Sequence, residues 1–132
     1  MNGMQLPDAR FHYLIPNKAD EMYGCTISTV GMQIVAPDEE YPAKDHPVGY
    51  MFNPERGRVL REYQLLYIVG GRGVFSNASG DYEVSKGSLI LLRPGEWHTY
   101  KPIKDIGWNE YFIGFSGKMA EKSIDMMFAK NE

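Results

Sequence analysis

The chain of 132 residues is short of most features that name a chemistry from sequence alone. It has one cysteine, Cys25, so no intrachain disulfide can form and a reducing compartment fits. Its three histidines, His12, His46 and His98, are scattered, and none forms a pair at metal-ligand spacing. No apolar run approaches the ~20 residues needed to cross a bilayer. The N-terminus has neither the basic start nor the apolar core of a signal peptide. These readings place the chain in the cytoplasm, away from membranes. Fourteen Lys and Arg against 17 Asp and Glu give a net charge of −3, with no basic block. Nothing therefore marks an electrostatic footprint for nucleic acid.

What is present is ordinary for one globular domain: 43% apolar and 23% charged residues. Residues 1–23 hold Pro7 and Pro16 with little periodicity and read as an arm, with one short strand at Phe11 to Ile15. From Cys25 to Val35 the chain is β-branched and alternating, with Gly31 as a bulge or kink. Pro37 to Pro47 reads as a loop carrying His46, and Tyr50 to Phe52 as a brief strand. A strand is expected over Val59 to Val69. Gly70-Gly71-Arg72-Gly73 then reads as a sharp turn, and it lacks the Lys-Ser/Thr of a phosphate-binding loop. Val74 to Ser76 and Tyr82 to Val84 flank a hairpin loop at residues 77–81. Trp108 to Phe115 is the last strand. Lys118 to Lys130 changes period, with Met119, Ala120, Ile124, Met127 and Phe128 on one helical face. Short strands separated by glycine turns imply an all-β barrel or sandwich with a C-terminal helix.

The stretch from Gly87 to Tyr100 organises the rest. Ser88 to Leu92 is too short for a helix and reads as a strand buried on both faces. Pro94-Gly95 makes a tight turn. His98 and Tyr100 then share one face of the next strand. Gly87, Gly95 and His98 resemble the second motif of the cupin superfamily of small β-barrels, although Arg93 replaces its first proline and Pro94 sits one place late. The resemblance implies a double-stranded β-helix, or jelly roll, with His98 pointing inward. Most cupin enzymes hold a metal with two histidines and a glutamate from a first motif and one histidine from the second. Registering that first motif on Gly71 puts Gln64 at the glutamate and Arg58-Val59-Leu60 at the two histidines. Three of four ligands are then absent, and a metal needs three or four converging donors. No cofactor is expected.

On this registration Arg58, Gln64, His98 and Tyr100 converge on one cavity, joined by Glu110 and Phe112 from the last strand. Donors and acceptors beside a flat apolar ring suit a small hydroxylated ligand such as a sugar. The bland readings stay open: Arg58 paired with Glu62 or Glu55 outside, and Gln64 or Glu110 on the solvent face. Trp97 and Trp108 are expected to pack on the outer surface or against the helix. No serine or cysteine sits in a nucleophile elbow, and no paired carboxylates are recognisable.

Further matching runs are Gly31 with Pro37, Arg61 to Gly73, and Trp108 to Gly117. Together they resemble the N-terminal ligand-sensing cupin domain of AraC-type transcriptional regulators. The resemblance implies an effector bound inside a barrel over residues 24–117, with His98, Tyr100, Glu110 and Phe112 lining it. It also implies an arm over residues 1–23 and the start of a dimerisation or linker helix over 118–132. The expected partners are a small-molecule effector and a second copy in a homodimer. DNA would be bound only through a helix-turn-helix domain that this chain does not encode. On this reading the chain is no enzyme; the alternative is a stand-alone cupin isomerase or epimerase using His98 and Tyr100 as acid and base.

Overall fold

The computed structural model describes residues 9–39, 41 and 53–128. The expected strand at Tyr50 to Phe52 and most of the loop carrying His46 lie outside them. Among the described residues, eight strands and two helices follow in chain order: β1 Ala9–Tyr13, α1 Lys18–Tyr23, β2 Thr26–Val35, β3 Arg58–Val59, β4 Tyr63–Asn77, β5 Gly80–Ser85, β6 Leu89–Leu92, β7 Trp97–Pro102, β8 Trp108–Ser116 and α2 Lys118–Met127. Every pairing is antiparallel.

β4 builds the molecule. Its first half pairs with β8 on one side and β6 on the other. Its second half pairs with β5 and β7. One sheet therefore runs β1-β2-β8-β4-β6 and the other β5-β4-β7-β3, with the same strand passing from one to the other. The expected sharp turn at Gly70 to Gly73 is instead the corner of this continuous strand. Its register against β8 slips between Ile68 and Gly70, and Gly71 has φ 86°. A bulge with a residue in the left-handed region bends a strand without ending it. Here it turns one strand into a member of two sheets.

Other expectations shift for similar reasons. The strand expected over Val59 to Val69 is broken at residues 60–62, separating β3 from β4. The bulge in β2 falls between Ile27 and Thr29 rather than at Gly31. β6 is not buried on both faces: Ile90 and Leu92 enter the core while Leu89 is half exposed. The arm strand runs over Ala9–Tyr13, two residues earlier than expected at its start, and pairs with β2. The six-residue α1 was not expected. Asn17 caps it by accepting from the Asp20 amide at 2.8 Å, which is the side-chain bond a helix start requires.

Two clusters hold the structure. Inside the barrel Leu66, Ile68, Ile90, Leu92, Tyr100 and Trp108 pack with Val35 and Val84. Outside, α2 lays Ala120 and Ile124 over Phe115, with Tyr63, Leu65, Leu91 and Ile113 around them. Met127, expected on that face, points to solvent. α2 is tied to α1, since the Gly24 carbonyl accepts from the amides of Met119 and Ala120 at 2.8 and 3.2 Å. Among the described residues no helix is long and apolar enough to cross a membrane.

Candidate functional site

Strand alternation decides which side chains enter the barrel. On β7, His98 and Tyr100 point inward and are 2% and 6% exposed, while Trp97 faces out. On β8 the inward set is Trp108, Glu110 and Phe112. The expectation for Trp108 is therefore corrected. It shares parity with Glu110 and is one of the most buried side chains, with its ring centroid 5.9 Å from that of Tyr100. Trp97 does lie outside, donating from Nε1 to the Arg56 carbonyl.

Arg58 lies opposite His98 in the β3–β7 register and turns into the barrel rather than toward Glu55 or Glu62. Its Nε donates to His98 Nε2 at 3.1 Å and its Nη2 to the Tyr100 hydroxyl at 2.8 Å. The two rings it bridges are nearly parallel, with centroids 6.0 Å apart. Glu62 instead accepts from Ser28 Oγ at the β2 bulge, and Glu55 lies beside Lys101.

The opposite wall comes from β2, β8 and β4, whose registers stack three levels. Thr29 faces Gly114, which faces Gln64. Gly31 faces Phe112, which faces Leu66. Gln33 faces Glu110, which faces Ile68. Gln64 and Glu110 are both buried, but on different levels of the wall. At the middle level Gly31 makes room for an aromatic ring, because a β-carbon there would come within 2.5 Å of Phe112 Cζ. Phe11 of the arm strand covers that ring from the far side at 5.6 Å between centroids.

The electrostatics of this interior follow from burial beside one cation. Burial pushes the Glu110 carboxyl up to about 8, with the Arg58 guanidinium pulling the other way. Burial and then Arg58 lower His98 to about 4. Burial and the Glu110 carboxylate raise the Tyr100 phenol, against the opposing pull of Arg58. At neutral pH the site thus holds a neutral imidazole, a neutral phenol and a largely protonated carboxyl around one guanidinium.

Several of its polar atoms lack hydrogen-bond partners among the described residues: His98 Nδ1, Trp108 Nε1, Glu110 Oε2 and Thr29 Oγ1. An unpaired buried donor or acceptor costs about 1–3 kcal/mol, so each is a place where a guest atom is worth binding. A metal does not fit. The His98 Nε2 lone pair is engaged by a cationic donor, and no group of three or more His, Cys, Asp or Glu side chains among the described residues could hold an ion.

Three contributors escaped the sequence reading. Gln33 and Thr29 sit on a β-branched strand whose pattern shows alternation but not which face is the interior. Tyr41 comes from the loop after β2. Its ring meets Trp108 edge-on at 6.2 Å, and its phenol is raised well above the ordinary range by burial and by Glu110. No local sequence signal could have found it.

Comparison with known proteins agrees with this geometry. A family model described as the AraC-like ligand binding domain matches residues 40–131, well over half of the chain. The lactose operon transcription activator of Staphylococcus xylosus is 32% identical over 71 residues, which are 54% of this chain and 24% of that protein. The match thus spans about a quarter of that relative's length. Among solved structures, YhaK from Escherichia coli superposes with a TM-score of 0.57 at 13% identity, over 83% of this chain and 45% of that one. A cupin protein from Bacteroides fragilis gives 0.50 at 12% identity, over 70% of this chain and 66% of that one. At such identities these two speak to the fold alone. On fold and family match together, the chain belongs to the AraC-like ligand binding domains, built on a cupin barrel.

Proposed function

We propose that this chain is the effector-sensing part of a transcription regulator, taking a small, polar, uncharged ligand, a sugar by preference, inside the barrel. One observation carries the reading: among the described residues, buried polar atoms of His98, Trp108 and Glu110 stand without hydrogen-bond partners beside Arg58 and Tyr100. A donor-rich interior with a protonated carboxyl favours hydroxyl groups, which both donate and accept, over a charged guest. Phe112 supplies the flat apolar wall on which a sugar ring stacks.

The domain layout belongs to the same proposal. Residues 24–117 hold the ligand, 1–23 form the arm, and 118–132 lead toward a dimerisation or linker helix of a homodimer. DNA contact belongs to a separate helix-turn-helix domain, and the regulator works in the cytoplasm. Support comes from the family match and from the name of the Staphylococcus xylosus relative, a transcription activator of a lactose operon.

The test is a thermal-shift and calorimetric screen of mono- and disaccharides, lactose and galactose included. The expected result is a rise in melting temperature for at least one sugar, recovered chemically unchanged. A sugar converted to product would replace the sensor with an isomerase or epimerase. Absence of any shift across the panel would overturn the sugar reading.

A further inference from the structure

Tyr41 stands between the barrel interior and an outer cleft. The inner-face positions of β2 run Thr29, Gly31, Gln33 and Val35, and those of β7 run His98, Tyr100 and Pro102. Val35 and Pro102 thus lie one two-residue step, about 7 Å, beyond Gln33 and Tyr100. Both line a cleft of about 520 Å³, and so does Tyr41. The rim of this cleft is charged and exposed, with Glu39, Glu55, Lys101 and Lys104 on it. The cleft therefore opens to solvent at the end of the barrel where the inner faces of β2 and β7 run out.

Tyr41 belongs to both sides. Its ring meets Trp108 edge-on at 6.2 Å; Trp108 lies 5.9 Å from Tyr100, and Tyr100 6.0 Å from His98. It packs against the buried cluster that contains Val35, Tyr100 and Trp108. Its phenol is raised by burial first and then by the charges of Glu110 and Tyr100, with Arg58 opposing, so it lies within electrostatic reach of the polar interior. A guest beside Arg58, His98 and Tyr100 meets Trp108 and the Tyr41 ring before it meets the cleft.

We infer that Tyr41 is a specificity-determining residue of the barrel site: its ring ends the interior toward the cleft and limits the guest to a single sugar ring. The inference rests on the proposed sugar site and deepens it, because it fixes the length of the ligand. A ring that fits beside Arg58 and Glu110 keeps its hydroxyls inside. A second ring attached on this side has to displace Tyr41 from Trp108, giving up buried apolar contact. The cleft beyond offers polar room, with Asn53 and Lys101 in its wall. Removing the Tyr41 ring therefore joins two spaces that the wild type keeps apart.

The test compares galactose with lactose by calorimetry, one ring against two. The wild type should bind galactose about tenfold tighter than lactose or more, and Tyr41→Ala should bring that ratio to about threefold or less. Tyr41→Phe keeps the ring and should keep the ratio. A readout without sugar goes with it. In a Trp97→Phe background, Tyr41→Ala should make Trp108 emission red-shifted and quenchable by acrylamide, while Tyr41→Phe leaves it blue-shifted. Tyr41→Leu, shorter than tyrosine but still apolar, makes the same comparison if the alanine variant does not fold. Lactose bound as tightly as galactose in the wild type, or a ratio unchanged in Tyr41→Ala, overturns the inference. Binding of neither sugar, with Trp108 newly quenched, removes galactose and lactose from the barrel and keeps Tyr41 as its end wall. Unquenched Trp108 in Tyr41→Ala removes the wall whatever the sugars do.

Discussion

Arg58 Nε donates to His98 Nε2 at 3.1 Å, and that bond assigns the imidazole's protonation. A guanidinium nitrogen can only donate, so Nε2 must accept, and the remaining proton sits on Nδ1. His98 is therefore neutral, with Nδ1–H as its remaining donor, rather than a base or a metal ligand. The direction of its pKa, lowered by burial and by Arg58, agrees.

Arg58→Met should release this assignment. The side chain keeps most of its length but leaves His98 Nε2 and the Tyr100 hydroxyl without their donor, at a cost of about 1–3 kcal/mol in stability. Imidazole titration followed by NMR should show the His98 pKa rising from about 4 toward its ordinary value. A pKa that stays put would mean burial alone sets it. Any sugar found to bind should weaken at least ~tenfold in this variant.

Glu110 and His98 bend the pH dependence of stability in opposite senses. The folded pKa of Glu110 is raised from 4.5 to about 8, so its contribution is fully present below 4.5 and lost as pH rises through 8. The folded pKa of His98 is lowered from 6.5 to about 4, so its contribution is fully present above 6.5 and lost as pH falls through 4. Between pH 6.5 and 8 only the first operates, and stability should decline. Glu110→Gln, neutral at every pH, should flatten that decline in urea titrations. An unchanged slope would place the carboxyl's ionisation elsewhere.

Gly31→Ala should destabilise the fold by about 1–3 kcal/mol through overpacking. The new β-carbon would meet the Phe112 ring at 2.5 Å and the Arg10 carbonyl oxygen at 2.7 Å, so either the ring or the arm strand must move. Urea unfolding measures the cost, and the chemical shifts of the Phe11 and Phe112 rings report which one yields. A neutral outcome would mean that the β1–β2 pairing is loose enough to absorb a methyl group.

The two tryptophans should separate cleanly by fluorescence. Trp108 is 1% exposed and Trp97 41%. Trp97→Phe should leave blue-shifted emission that acrylamide quenches poorly. Trp108→Phe should leave red-shifted, readily quenched emission. Quenchable emission in Trp97→Phe would remove Trp108 from the interior.

Much of the architecture was legible because local rules produce it. Alternation and glycine turns announce strands, and the 3.6-residue period of Met119, Ala120 and Ile124 announces α2. The cupin resemblance carried by Gly87, Gly95 and His98 implied an inward His98, and one strand's parity takes Tyr100 with it. The same parity argument puts Trp108 beside Glu110. The expectation failed there because it grouped Trp108 with Trp97 on the opposite parity, whereas positions 108, 110 and 112 share one face of β8.

Composition and periodicity by themselves pointed to a β-barrel or sandwich with a C-terminal helix, and to the side-chain alternation within each strand. They could not determine which strands become neighbours. Gly70 to Gly73 shows why: the same glycines serve a hairpin or a corner, and only pairing with β8 before them and β7 after them decides for the corner. Arg58 was undecided between solvent and interior until its opposition to His98, forty residues away, settled it. Gln33 and Tyr41 enter the site through contacts between distant segments, which carry no local signature. Period and turn chemistry are properties of adjacent residues, whereas a binding site is made by side chains that only long-range pairing brings within hydrogen-bond reach.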